Sequence, residues 1–227
     1  MLSAMKRVEM KQDTTSAMSK TAVTRKTTDR VTSLLSVARK RFSAQGYAGT
    51  TLGDVAEDAG IRKASLYYHF PTKEALYTAV IDQIVTGLCE SIARASAGDD
   101  GFVERLDRLG AEIVEYLGSN REAACMLLRE MVGDSVYIRG PGGEVVEATL
   151  KDTAAFLRAG MDSGAFSRQN EAQLALSIIG LHLYYFAAPK MSRILVGCSI
   201  FTKAAVEDRS RALRQHVRAL CGAPPLP

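Results

Sequence analysis

Between Thr51 and Pro71 the chain marks out two helices, each too short to stand alone. Thr51 followed three residues later by Asp54 has the form of a capping box with Asp in place of the usual Glu, which predicts a helix from about Leu52 to Ala59 that stops at Gly60. A second helix is predicted over residues 61–70 and ends at Pro71, whose ring cannot continue it. Isolated helices shorter than roughly 12 residues are marginal in water, so these two must fold against each other and against a third element. The residue types suit that task. Ala56 is small where the helices cross, Gly60 permits a turn with positive φ, and Val55, Ile61, Leu66 and Phe70 are available as apolar contacts. A short helix, a glycine turn and a second helix of this spacing make a helix-turn-helix, in which the second helix enters the major groove of DNA.

The rest of the chain reads as helix throughout. Residues 1–28 are rich in Thr, Ser and Lys with no apolar stripe, and are predicted to be a disordered basic arm. From Asp29 a helix is predicted with Val31, Leu34, Leu35, Ala38 and Phe42 on one face, ending at Gly46. Thr72 offers a cap for a long fourth helix to about Ala95, with the stripe Leu76, Val80, Ile84, Leu88 and Ile92. Further helices are predicted at about 101–117, 120–133, 143–162, 170–188 and 202–221, separated by Gly, Asn and Pro. No strand alternation competes. The expectation is an all-α protein of about nine helices. It divides into the arm, a helix-turn-helix domain at 29–75, a helical domain at 76–222 and a flexible tail at 223–227.

Charge identifies the end that meets a partner. Net charge is +4 overall, yet residues 1–80 hold 13 Lys and Arg against 7 Asp and Glu, while residues 81–227 hold 16 against 18. A localised positive field attracts a polyanion, and counterion release from phosphates is the largest non-specific contribution to DNA binding. The longest apolar stretch, Leu174 to Pro189, is interrupted by Ser177 and His182 and is too short to span a membrane. There is no secretory signal pattern, so a cytoplasmic protein is expected. Cys89, Cys125, Cys198 and Cys221 lie far apart with no CxxC pair, which argues against zinc or a disulfide framework. GxSxG, HExxH, P-loop and GxGxxG patterns are all missing, so neither an enzyme nor a cofactor is expected.

The segment TTLGDVAEDAGIRKASLYYHFPTKEAL, residues 50–76, resembles the DNA-binding segment of the TetR family of transcriptional regulators, and the likeness covers about residues 29–80. The resemblance implies a repressor that binds a palindromic operator as a homodimer and responds to a small molecule. It also implies base reading by Arg62, Lys63, Ala64 and Ser65 at the start of the third helix, with phosphates held by Thr51, Tyr67, Tyr68, His69 and Lys73. Arg or Lys can donate to guanine, and an alanine methyl can touch that of thymine. One of Tyr67 and Tyr68 is expected to pack mainly against the first helix. Two departures stand out. Arg62 occupies a position where a capping Ser or Thr is common, and Gly53 stands where some members carry a base-reading Arg, which shifts recognition onto Arg62, Lys63 or the arm (Lys20, Arg25, Lys26).

In the family, the part beyond about residue 80 binds the effector and forms the dimer. Residues Leu174–Phe186 are apolar all round and need cover on both sides. Leu174, Ile178, Leu181 and Tyr185, with Val206, Leu213, Val217 and Leu220 of the last helix, are therefore candidates for a dimer bundle. Tyr116, Met126, Met131, Phe156, His182 and Tyr185 are candidate pocket residues, combining apolar surface with hydrogen-bonding tips. The alternative to an effector-responsive regulator is a redox sensor that uses the cysteines; activation in place of repression is equally compatible with the residues.

Overall fold

The computed structural model describes residues 30–96, 100–133, 136–140 and 142–225; the predicted arm, with Lys20, Arg25 and Lys26, lies outside them. The described residues form ten helices and no strand. They are α1 (residues 30–45), α2 (Leu52–Asp58), α3 (Lys63–His69), α4 (Lys73–Ser96), α5 (Phe102–Ser119), α6 (Ala123–Val132), α7 (Gly143–Asp162), α8 (Glu171–Ala187), α9 (Pro189–Val196) and α10 (Lys203–Cys221). The helix that the sequence reading lacked is α9. Pro189 does not merely end α8. It sits in the first turn of a new helix, where its missing N–H costs nothing, and Gly197 at φ 78° closes that helix.

The chain divides into two compact units between Leu76 and Tyr77. In the first unit Leu34, Ala38 and Phe42 of α1 are buried together with Leu52, Val55 and Ala56 of α2, Leu66 of α3 and Leu76. The Arg41 guanidinium reaches from α1 to both carboxylate oxygens of Asp58 at the end of α2, at 2.7 and 3.0 Å. Thr50, fully buried, donates to the Gly46 carbonyl at 2.9 Å and turns the chain into α2.

In the second unit α8 is central and touches α5, α6, α7, α9 and α10. Its Leu174, Ala175, His182, Leu183 and Phe186 are buried. Helices α5 and α10 pack closely because Gly118 leaves room for Val206: a Cβ there would stand 2.7 Å from a valine methyl. Arg218 of α10 forks onto Asp107 of α5 with contacts of 2.6, 3.0 and 3.1 Å, the two side chains only 11% and 15% exposed. Phe102, Phe156 and Phe166 form an aromatic cluster with centroids 5.6–6.1 Å apart. Buried Glu130 accepts from the Tyr77 hydroxyl at 2.8 Å and from the Tyr137 amide at 3.0 Å. Tyr137 in turn donates to Asp82 at 3.1 Å, and burial pushes its phenol up to about 12.

No single helix among the described residues is long and apolar enough to cross a membrane, and α8 and α9 meet at 85°. Ala56 is buried, 1% exposed, so Ala56→Leu, which forces a larger side chain into the interior, is expected to destabilise the first unit by roughly 1–3 kcal/mol. Urea unfolding followed at the amides of α2 and α3 measures this, and an unchanged midpoint would show that the helix crossing has room.

Candidate functional site

Three local devices position α3. Thr51, in extended conformation, accepts from the Asp54 amide at 3.2 Å through Oγ1, and Asp54 accepts from the Thr51 amide at 3.0 Å, so the capping box is closed from both sides. The Thr51 amide above all, then its hydroxyl, holds the Asp54 carboxyl below the ordinary aspartate range; the charges of Arg41 and Lys63 add to this. Gly60 takes φ 64°, and the Ile61 amide donates to the Ala56 carbonyl at 3.0 Å, which closes the turn between the helices. Leu66, fully buried, pins α3 from beneath.

The remaining α3 side chains face outward. Arg62, Lys63, Ala64 and Ser65 are all exposed, and residues 61–70 contain no carboxylate. Tyr67 is 50% and Tyr68 86% exposed, so neither serves as the core contact expected of one of them. His69 is half-buried, its ring edge-on to Tyr68 at 5.2 Å. Arg62 occupies the N-cap without a side-chain cap bond, in line with the departure noted in the sequence. Ile61 corrects the expected core: it is 36% exposed because α3 begins only at Lys63 and Ile61 belongs to the turn, which it closes with its backbone.

Thr51 is exposed at the start of α2, and Lys73 is half-buried in the first turn of α4. The Lys73 ammonium donates to the Tyr47 carbonyl at 3.0 Å and lies 4.4 Å from the centre of the Tyr47 ring, which leaves two of its three protons for an outside acceptor. Gly53 also has a local consequence. The Lys63 side chain lies across it, so that a Cβ at position 53 would stand 2.9 Å from the Lys63 ammonium.

The second unit contains a cavity of about 440 Å³. Its walls come from α4 (Cys89, Ile92), α5 (Arg105, Gly110), α7 (Phe156) and α8 (His182), among others. Of the candidate pocket residues, Phe156 and His182 lie on this wall. The other four lie elsewhere. Tyr116 donates to the Ile84 carbonyl at 2.7 Å, Met126 is buried core, Met131 is 47% exposed, and Tyr185 lies beneath the Arg209 guanidinium, 4.6 Å from its ring centre. Arg105, a wall residue the sequence reading did not name, sits over the Phe102 and Phe156 rings at 5.9 and 5.2 Å.

The expected dimer residues separate by burial, with Tyr185 placed beneath Arg209 as described above. Leu174, Val206, Leu213 and Val217 are buried inside their own unit, which corrects their assignment: side chains already covered have no face to offer a partner. Ile178 borders the cavity. Leu181 and Leu220, with Ser177, Gly180, Tyr184 and His216, line an open groove between α8 and α10. Leu176, 61% exposed, and Tyr184, 59% exposed, show that one side of α8 is left uncovered. The described residues contain no cluster able to hold a metal ion, and none of the four cysteines is in a disulfide. Burial pushes the Cys221 thiol up to about 11.

Comparison with known proteins gives concordant results. Residues 34–80 match the model of the bacterial regulatory proteins, tetR family. The HTH-type transcriptional regulator RutR of Escherichia coli K12 is 52% identical over 52 residues, 23% of this chain and 24% of RutR. IcaR of Staphylococcus aureus Newman, a negative transcriptional regulator of the biofilm operon icaADBC, is 58% identical over 36 residues, 16% of this chain and 19% of IcaR. The chain thus matches only about a quarter or less of the length of these relatives. Over nearly the whole length, the fold is similar to that of AibR in complex with isovaleryl coenzyme A and operator DNA: TM-score 0.65 at 19% identity, covering 87% of this chain and all of that one.

Asp54 generates a pH prediction. Its folded-state pKa lies below the ordinary value, so the capping box contributes fully above the unfolded value of about 3.9 and is lost as pH falls through the lower folded one. NMR titration should place Asp54 below ordinary aspartates, and Thr51→Val, which removes the hydroxyl but keeps the amide, should move it part of the way back. An Asp54 that titrates at the ordinary value in the parent chain would refute the closed box.

Proposed function

We propose that the chain, whose residues 34–80 match the model of the bacterial regulatory proteins, tetR family, is a ligand-responsive transcriptional repressor that binds a palindromic operator as a homodimer. The observation that carries the reading is the outer face of α3: Arg62, Lys63, Ala64, Ser65, Tyr67 and Tyr68 are exposed together on a helix pinned by Leu66, with no acid among them. Arg62 and Lys63 meet bases in the major groove. Thr51, Tyr67, Tyr68, His69 and Lys73 hold phosphates, aided by the free amides and positive dipole ends where α2 and α4 begin. Lys63 lies over Gly53 and so takes up the space that a larger side chain on α2 would fill, and reading falls to Arg62 and Lys63 or to the basic arm.

The uncovered side of α8 and its groove with α10 suit a second copy of the chain. Twofold pairing there covers Leu176, Tyr184 and Leu220 and sets two recognition helices about 34–36 Å apart, one turn of DNA. Repression accords with the negative regulation described for IcaR. The cavity is the effector site: AibR binds an acyl coenzyme A, and here α4 carries both Lys73 in its first turn and Cys89 and Ile92 on the cavity wall. An effector that favours one setting of α4 shifts the population between DNA-fit and DNA-unfit states, with a coupling of about 1–3 kcal/mol. Working on DNA, the protein acts in the cytoplasm.

Selection from random duplexes should enrich a palindrome. Arg62→Ala should relax preference at one position per half-site by about 1–3 kcal/mol, whereas Tyr68→Phe should weaken all sequences alike. Failure to enrich any palindrome would overturn the repressor reading.

A further inference from the structure

The cavity wall offers an incoming molecule much apolar surface and few hydrogen-bond donors. Ile92, Leu106, Leu109, Ile113 and Ile178 supply the apolar part. The Ser96, Thr149 and Thr153 hydroxyls each give their proton to a carbonyl four residues earlier in their own helix, at 2.8 Å. The buried His182 ring is engaged by backbone on both edges: its Nδ1 lies 2.8 Å from the Ile178 carbonyl, and its Nε2 faces Gly110 on α5. The Cys89 thiol is a weak donor, and Asp152, an exposed acid, repels an anion.

Arg105 is the exception. It is half-buried on α5, with its guanidinium over the Phe102 and Phe156 rings at 5.9 and 5.2 Å. No described carboxylate forms an ion pair with it, and the nearby charges of α5 are engaged elsewhere: Arg108 pairs with Asp100, and Asp107 with Arg218. Its Nε is sealed from solvent, so the two terminal nitrogens are the ones that can meet a ligand. A molecule that fills the cavity strips water from those N–H groups, and a desolvated cation left without an acceptor is costly. The ligand must therefore bring an acceptor of its own, and a carboxylate matches the planar guanidinium bidentately.

We infer that the cavity takes a monocarboxylate whose body is hydrocarbon throughout, the carboxylate on the terminal nitrogens of Arg105 and the body against the apolar wall. The volume of about 440 Å³ falls within the roughly 300–1,000 Å³ of small-molecule sites and suits an alkyl or aryl body. A second carboxylate would lie against apolar side chains or beside Asp152, so a diacid is disfavoured along with a neutral alcohol. This deepens the effector-responsive reading above and rests on it.

The test uses the full chain, calorimetry and four probes on each of two bodies, octyl and 4-phenylbutyl: the acid, the primary alcohol, the acid with a second carboxylate at its far end, and the coenzyme A thioester. On at least one body the monoacid should bind about tenfold or more tighter than the alcohol and the diacid, and ahead of the thioester. Arg105→Gln should erase the advantage of the acid over the alcohol, and Arg105→Lys, which keeps the charge without the fork, should restore part of it. A merely structural Arg105 would weaken acid and alcohol alike, and an acid-to-alcohol ratio unmoved by Arg105→Gln overturns the assignment. So does an alcohol, diacid or thioester that binds as well as the monoacid on both bodies, or no binding by any probe. Operator release is read alongside. If a selected palindrome is released by the alcohol and not by the monoacid, the ligand class falls while the repressor reading stands. If no palindrome is selected but the monoacid binds as ranked, the repressor reading falls and the ligand class stands.

Discussion

A seven-residue helix has too few internal hydrogen bonds to persist alone, and the candidate DNA-reading surface consists of one such helix hung on another. What holds them is the turn at Gly60, where a left-handed residue lets the Ile61 amide reach back to the Ala56 carbonyl, and the burial of Leu66 below α3. The capping box fixes the start of α2 and the Arg41–Asp58 fork ties its end to α1. With every restraint on the inner side, the outer side chains of α3 have no structural duty. Arg62, Lys63 and Ser65 can therefore be chosen for what they meet in a groove.

The second unit solves a different problem. Its central helix is apolar almost all round, and five neighbouring helices cover only part of it. His182, an imidazole placed in the covered part, is a group such a core avoids unless both nitrogens are served. One lies 2.8 Å from the Ile178 carbonyl of the same helix, and the other faces the α5 backbone at Gly110.

The first unit could be read from the sequence almost to the residue because its signals are local: Thr51 with Asp54, Gly46, Gly60 and Pro71 each act on the backbone beside them. Ile61 went astray because hydrophobicity alone says nothing about whether a residue lies in the helix or in the turn before it. In the second unit the helices followed from periodicity, but their partners did not. Leu174, Val206, Leu213 and Val217 looked like a face for another subunit, and only packing reveals that α5 and its neighbours already cover them. Arg105 escaped notice for a related reason, since an arginine near the start of an amphipathic helix is ordinarily solvated. Its setting between Phe102 and Phe156 brings together residues 54 positions apart.

The disposition of charge joins the two units into one argument. Through much of the second unit cations find anions: Arg218 with Asp107, Arg158 with Glu171, Arg108 with Asp100, Lys151 with Glu147. On α3 they do not, although Asp54, Glu57 and Asp58 are close by in sequence. Asp54 is spent on the Thr51 amide and Asp58 on Arg41, so both acids are drawn into holding α2. The same bonds that stiffen the scaffold thus keep these acids out of ion pairs with Arg62 and Lys63, although the charge of Lys63 still acts on Asp54. A positive surface whose cations form no ion pair keeps their donors available to a polyanion, and the release of counterions from that polyanion then adds to binding.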